Sequence, residues 1–202
     1  MTGLDTIAVD LGSLGEQTDL SSLFDNDHPI ELEIGCGKGG FLLRQAQAHP
    51  ERNYVGVEWA NKYYKFAADR MSRWSLTNVR ILRTDAKNLV MHRLLPGCLS
   101  AMHIYHPDPW PKKRHQKKRL IQPDFMTAAV HTLSMGARLA IQTDHAEYFE
   151  QIKTVTSARP ELEPIPFEDA EHGTVGEAVE TNFEIKYQRE GRSFYRLAFR
   201  RR

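Results

Sequence analysis

Ile30-Glu31-Leu32-Glu33-Ile34-Gly35-Cys36-Gly37-Lys38-Gly39-Gly40 is the stretch that decides the fold. Residues 30–34 alternate like a strand and run straight into a backbone rich in glycine. Phe41, Leu42, Leu43, Ala46 and Ala48 then supply the buried face of a helix that Pro50 ends. Strand, glycine turn and helix in that order open a βαβ unit. Gly35, Gly37 and Gly40 fit the G-x-G-x-x-G fingerprint, in which the backbone approaches an adenosine cofactor closely.

The same period continues outward. Strands are predicted over 54–58, 79–83, 101–105 and 138–143, with helices over 61–74, from Pro123 to Gly136, and over 144–157. An acidic segment, 161–180, holds an edge strand and a loop, and 194–199 alternates like a last strand. Strands joined by crossover helices imply a single α/β domain, doubly wound, with a mostly parallel sheet whose ligands sit at the carboxyl ends of the strands. The domain spans 30–202 and is preceded by a polar lead-in, 1–29, of loop and one short helix.

Three acids stand at successive strand ends. Glu58 closes the second strand, where a carboxylate can bind ribose hydroxyls, and Asp85 follows the third, where it can accept from an adenine amino group. Glu33 lies two residues before Gly35, where it can meet a cofactor's amino group directly or through water. A pyrophosphate would be repelled by that acid, so S-adenosylmethionine fits the pocket better than NAD. Gly35, Gly37 and Gly39 read equally as the G-x-G-x-G of class I methyltransferases.

A second unusual stretch is His106-Pro107-Asp108-Pro109-Trp110-Pro111-Lys112-Lys113-Arg114-His115-Gln116-Lys117-Lys118-Arg119, which sets one carboxylate beside six cations. Prolines fix their own φ and restrict the residue before them, so Asp108 is expected in one extended or turn conformation. The cations suit a polyanion. Asp144 sits after the fifth strand with Glu147 three positions on, an arrangement that reads as a capping box as well as a rim residue of the same pocket. Thr181-Asn182-Phe183-Glu184 is a second such arrangement. Trp59, Tyr63, Tyr64 and Trp74 fit helix packing better than base stacking, and His49, His92, His131 and His172 are scattered.

Composition sets the outer bounds. The chain has 202 residues, 41% of them hydrophobic, and a net charge of +1, so affinity for nucleic acid must come from local asymmetry. Cations gather at 112–119 and again among Arg189, Arg192, Arg196, Arg200, Arg201 and Arg202. Cys36 and Cys98 form neither a disulfide framework nor a metal-ligand spacing, so no metal is expected. No leader pattern and no long apolar run appear, so the expectation is a cytoplasmic protein with no membrane partner.

Taken in order, Glu33 to Gly39, Gly56-Val57-Glu58, Asp85-Ala86, Pro107 to His115, Thr143-Asp144 and Thr181 to Glu184 make the chain resemble the bacterial tRNA (guanine-N7)-methyltransferase family. The Pro-Asp-Pro-Trp-Pro-Lys-Lys-x-His core is the specific part, because the glycine turn is common to all class I methyltransferases. The resemblance implies a Rossmann-like sheet of seven strands and methylation of guanosine 46 in the variable loop of tRNA. It further implies that Glu33, Gly35, Gly37, Glu58, Asp85 and Asp108 contact S-adenosylmethionine and that Asp108 is catalytic. Lys112, Asp144, Thr181, Asn182, Phe183 and Glu184 are implied to engage the substrate, and Arg114, His115, Gln116, Lys117, Lys118 and Arg119 the RNA. Monomer and homodimer are both compatible with it. Two departures stand out: His106 replaces an aromatic or apolar residue, and Glu190-Gly191-Arg192-Ser193-Phe194 lacks the His-Gly pair expected before the last strand.

Guanine N7 carries an in-plane lone pair and no hydrogen, so methyl transfer to it needs placement and charge balance and no base. Asp108 is expected to hold the guanine donor edge or to balance charge. The rival readings are a class I methyltransferase acting on another RNA base or a small molecule, a non-catalytic RNA-binding module with an adenosine pocket, and an NAD-dependent oxidoreductase.

Overall fold

Leu32 and Ile34 point to one face of the sheet and Glu31 and Glu33 to the other, yet every residue of this strand is buried. Burial on both sides is what helices packed on both faces require. The computed structural model describes residues 7–167 and 193–202. Their order is β1 (Ala8–Val9), β2 (Ile30–Ile34), α1 (Gly40–Ala48), β3 (Asn53–Val57), α2 (Asn61–Arg73), β4 (Val79–Leu82), α3 (Ala86–His92), β5 (Leu99–Tyr105), α4 (Pro123–Thr132), β6 (Leu133–Thr143), α5 (Ala146–Ser157), β7 (Leu162–Ile165) and β8 (Tyr195–Arg201).

The sheet runs β1-β4-β3-β2-β5-β6-β8-β7. Strands β1 to β6 are parallel, and β8 is antiparallel to both β6 and β7. Phe41, Leu42 and Ala46 of α1 pack with Ala67, Ala68 and Met71 of α2 on one face. Leu89 and Val90 of α3, Phe125 and Met126 of α4 and Ile152 of α5 pack on the other, against Leu32, Val55, Met102 and Leu139. This is the doubly wound α/β arrangement expected.

The expected strand count needs correction. Eight strands are present, not seven, because Ala8 and Val9 of the lead-in pair with Ile81 and Leu82 at the β4 edge. Arg93 fastens the rest of the lead-in, donating Nη2 to the carbonyls of Leu11, Leu14 and Gly15 at 3.3, 2.9 and 2.7 Å. In place of one short helix the lead-in holds the 3-10 turns Leu11–Ser13 and Leu20–Leu23, each capped by an aspartate, Asp10 and Asp19.

Three other boundaries differ. Helix α4 stops at Thr132, and Gly136, with φ +79°, lies inside β6 near a register shift against β5, so its left-handed backbone serves an irregular strand and not a helix end. Helix α3, which was not among the expected helices, begins after Asp85, whose carboxylate accepts from Asn88 N at 3.0 Å. Helix α5 begins at Ala146, and its cap is His145, whose Nδ1 accepts from Tyr148 N at 3.2 Å. Asp144 is therefore not the cap of α5, and its Oδ1 lies 3.8 Å from His106 Nδ1 at the pocket rim. Among the described residues no helix is long and apolar enough to cross a membrane.

Candidate active site

Strands β3 and β4 lie on one side of β2, and β5 and β6 on the other, so the chain reverses direction across the sheet between β2 and β5. Ile34 and Ile104 are register partners there. A crevice at such a reversal is where open α/β sheets bind ligands. The glycine turn leaves β2 on one side of it, and the Asp108 turn leaves β5 on the other.

The glycine turn is held by its neighbours in the sheet. Gly35 N and Cys36 N donate to Val57 O at 2.8 and 3.1 Å. The Glu58 carboxylate accepts from Gly37 N through Oε2 at 2.9 Å and from Ala60 N through Oε1 at 2.7 Å, tying the turn to the start of α2. A carboxylate offers about four acceptor positions, so these bonds leave capacity for a sugar's hydroxyls. Gly35 has φ +75°, and a Cβ built on it meets nothing within 4 Å. The backbone is thus bare on the side a ligand would approach.

Glu33 lies beneath this turn, 4% exposed, and its Oε2 has no hydrogen-bond partner among the described residues. Burial raises its pKa to about 8, with Arg44 opposing and the neighbouring Glu58 adding to the rise. A cationic ligand group would supply the missing partner and restore the charge. An orphaned buried carboxylate, a bare glycine backbone, and Glu58 and Asp85 at the next two strand ends fit the amino, ribose and adenine groups of S-adenosylmethionine. Glu31, two residues earlier, is different in kind. Burial alone would raise its pKa, but His103 Nε2 at 2.9 Å and the Arg52 guanidinium outweigh it and lower the value to about 2. That pair of contacts makes Glu31 a fixed part of the core.

Asp108 is exposed at the tip of the turn after β5. His106 and Trp110, each directly before a proline, have φ of +51° and +40°. Left-handed backbone runs against the usual preference of residues before proline, and strain of this sort persists only where surrounding contacts over-determine it. Those contacts are visible. His106 N donates to Gln142 O at 2.8 Å, the His106 and Gln142 Nε2 atoms lie 2.8 Å apart, and Arg196 Nε donates to Gln142 Oε1 at 2.7 Å. His106 Nδ1 is 3.8 Å from Asp144 Oδ1, which draws Asp144 to the same rim. Trp110 packs edge-on against His115, with Lys118 Nζ 4.9 Å from its ring centre. Sequence reasoning missed Gln142, Arg196 and Arg44; a glutamine inside a buried strand and an arginine between apolar positions of the last strand are the signals that could have found the first two.

The cationic segment divides in two. Lys112, Lys113, Arg114, Lys117 and Lys118 are exposed along the 3-10 turn Lys113–Lys118 and its cap, and His115 and Gln116 are half-buried, with Gln116 Nε2 donating to Glu147. Arg119, expected to contact RNA, is 2% exposed. Its Nε donates to Pro109 O at 2.7 Å, its Nη1 to Gln151 Oε1 at 2.8 Å, and its guanidinium lies 4.9 Å from the Tyr148 ring centre. A phosphate cannot reach it without unpacking α5, so Arg119 leaves the interface. Thr181, Asn182, Phe183 and Glu184 lie outside the described residues. Trp59, Trp74 and Tyr63 are 71%, 57% and 40% exposed and are not packed as expected; only Tyr64 sits against the core. No group of three or more His, Cys, Asp or Glu is arranged to hold a metal among the described residues.

Comparison with known proteins agrees with this geometry. A family model described as "Putative methyltransferase" matches residues 27–197. The tRNA (guanine-N(7)-)-methyltransferase of Alkalilimnicola ehrlichii is 37% identical over 192 residues, covering 93% of this chain and 79% of the relative. The protein of that name from Rhodopirellula baltica is 37% identical over 188 residues, 90% of this chain and 69% of its own. Among solved structures, phosphoethanolamine N-methyltransferase 2 of Haemonchus contortus in complex with S-adenosyl-L-methionine superposes with a TM-score of 0.56 at 15% identity, over 88% of this chain and 50% of that one. The last likeness speaks to the fold alone.

Proposed function

Because the chain belongs to the tRNA (guanine-N(7)-)-methyltransferase family, we propose that it transfers the methyl group of S-adenosylmethionine to N7 of a guanine in tRNA, and that the guanine is number 46 of the variable loop. The observation that carries this reading is the meeting of the glycine turn and the Asp108 turn across the β2–β5 reversal. Cofactor pocket and acceptor turn thereby share one rim.

S-adenosylmethionine, when bound, supplies a methyl group activated on a sulfonium. Glu33 binds its amino group and, once paired, carries the negative charge that burial otherwise suppresses. Glu58 keeps the glycine turn in register through Gly37 and Ala60 while accepting from the ribose. Asp85, already the cap of α3, faces the adenine. Asp108 orients the guanine's donor edge and stabilises the positive charge that the ring acquires as N7 is alkylated, a contribution available without any proton leaving the substrate. Lys112 and the exposed Arg114, Lys117 and Lys118 meet phosphates near that turn, and Asp144, held near His106, lines the guanine's side of the pocket. This chemistry requires no metal. The same reading makes the cytoplasm the protein's compartment.

Incubation with unmodified tRNA and labelled S-adenosylmethionine, followed by nucleoside analysis, tests the activity, and chain scission at the modified base tests the position. 7-Methylguanosine in the variable loop is expected. Label in another nucleoside would reassign the acceptor, and no transfer to any tRNA would refute the reading.

A further inference from the structure

The N-terminal half of α2, with Trp59 just before it, carries a stripe of side chains that are not part of the core. Trp59 is 71% exposed, and Tyr63 and Phe66 are each 40% exposed. Within the helix Tyr63, Phe66 and Arg70 recur at intervals of three and four residues, which sets them on one side, and Trp59 lies just before its first residue, Asn61. Ala67, Ala68 and Met71, on the adjoining stripe, are the residues that bury α2 against the sheet. Scattered exposed aromatics are ordinary, but two on one helix face with a third immediately before the helix form a surface feature.

That stripe is embedded in positive charge. Helix α2 carries Lys62, Lys65, Arg70 and Arg73 against a single carboxylate, Asp69, which is 2.8 Å from Arg73. Lys38 Nζ and the Arg70 guanidinium lie 5.7 and 5.6 Å from the Phe66 ring centre, and Arg70 Nη1 donates to Lys38 O at 3.1 Å. The aromatic stripe is thus tied to the glycine turn. Interfaces between proteins deplete lysine at their centres, whereas aromatic rings interleaved with cations suit unpaired bases on a phosphate backbone.

We propose that this face of α2 is a second docking surface for the tRNA substrate, with Tyr63 and Phe66 stacking on unpaired bases and Lys62 and Lys65 meeting the adjoining phosphates. The inference rests on the tRNA reading above and extends it. Helix α2 follows β3 and the 112–119 segment follows β5, so the two surfaces flank β2 and its glycine turn from opposite sides. A folded RNA presenting one guanine at the β2–β5 reversal would touch both. Single-stranded loops and splayed bases are the RNA elements that such rings read.

The test compares Tyr63→Ala/Phe66→Ala with Lys62→Ala/Lys65→Ala in the full chain, leaving Trp59 in place because it adjoins Glu58. Binding of unmodified tRNA is measured across a salt series, and S-adenosylhomocysteine binding by calorimetry. The aromatic pair should lose at least about fivefold in tRNA affinity with an unchanged salt slope. The lysine pair should also lose affinity, with a slope shallower by about 0.7 to 0.9 per lost phosphate contact. Cofactor affinity and turnover at saturating tRNA should stay at wild-type values in both, and Tyr63→Phe/Phe66→Tyr should bind like wild type. Wild-type tRNA affinity in both alanine variants would overturn the proposal. So would a wild-type dimer that the aromatic variant abolishes without any change in tRNA affinity, which would give the face to a second copy of the chain. Failure of the wild type to form 7-methylguanosine would strike the proposed reaction instead, and tRNA binding by these variants would still decide the docking surface.

Discussion

Arg119 donates its Nε to the carbonyl oxygen of Pro109 at 2.7 Å, so the far end of the cationic segment is bonded back to the residue that follows Asp108. The same guanidinium reaches Gln151 on α5 and stacks on Tyr148, whose hydroxyl accepts from Ile121 N at 3.0 Å. Turn, segment and helix are thereby braced by one buried cation.

Arg119→Ala is expected to cost about 2 kcal/mol of stability, the scale of a lost hydrogen bond to a charged group, and to lower the melting temperature by roughly 4–8 °C. Arg119→Lys should recover little of this, because an ammonium cannot make the forked and stacked contacts together. For RNA the expectation is a negative one: well below the melting temperature, the salt slope of tRNA binding should match wild type. A shallower slope in Arg119→Ala would return this residue to the interface.

Arg114→Ala/Lys117→Ala removes two exposed cations that bond nothing buried. Stability should not change, while the slope of log affinity against log salt becomes shallower by about 0.7 to 0.9 for each side chain that meets a phosphate. Filter binding at several salt concentrations reads this directly. Unchanged slope and affinity would mean that the segment is a solvated face.

Asp108→Ala should lower turnover by at least about a hundredfold, the usual loss when one preorganised electrostatic group is removed. The melting temperature and most of the cofactor affinity should survive, since the backbone of the turn is held by His106, Trp110 and Arg119 and not by the Asp108 side chain. Near wild-type turnover at saturating tRNA would remove Asp108 from the chemistry.

Glu33 gives a pH signature. Its carboxyl titrates at an ordinary value of 4.5 when unfolded and at about 8 in the folded, cofactor-free protein. The folded state therefore binds the extra proton between those values, and the stability it contributes is full below pH 4.5 and is lost as pH rises through 8. Thermal melts of the cofactor-free protein should fall between about pH 5 and 8 and level off above that, and Glu33→Gln should flatten that fall. Pairing with a cationic cofactor group expels the proton, so calorimetry at pH 7 in buffers of different ionisation enthalpy should register proton release on binding. Equal heats in all buffers would refute the pairing.

Much of the site could be read from the chain because its chemistry is local. The glycine turn, Glu33 and Glu58 sit within a strand-turn-helix-strand stretch whose spacing carries the argument, and the Asp108 turn announces itself by its prolines. The misreadings all depend on partners distant in sequence. Arg119 looks like its exposed neighbours until Tyr148 and Gln151 fold over it, and Ala8–Val9 is too short to register as a strand without β4 beside it. Asp144 and His145 are both able to cap a helix, and only the fold separates them, with Asp144 Oδ1 3.8 Å from His106 Nδ1 and His145 Nδ1 accepting from Tyr148 N. The positive φ values at His106 and Trp110 run against local preference altogether, and the Gln142–Arg196 brace that permits the first of them comes from two other strands.

Strand β8 lies between β6 and β7, and among the described residues β7 pairs with nothing else. During synthesis, then, residues 162–165 leave the ribosome before the strand they pair with, and the β6 edge stays open until residues 195–201 follow. A nascent chain paused in that interval presents an unpaired, apolar strand margin of the kind that recruits other chains. Closure of the β6 edge waits on residues 195–201, so a nonsense or frameshift lesion between residues 165 and 195 is expected to yield aggregated protein and not a soluble fragment with partial activity.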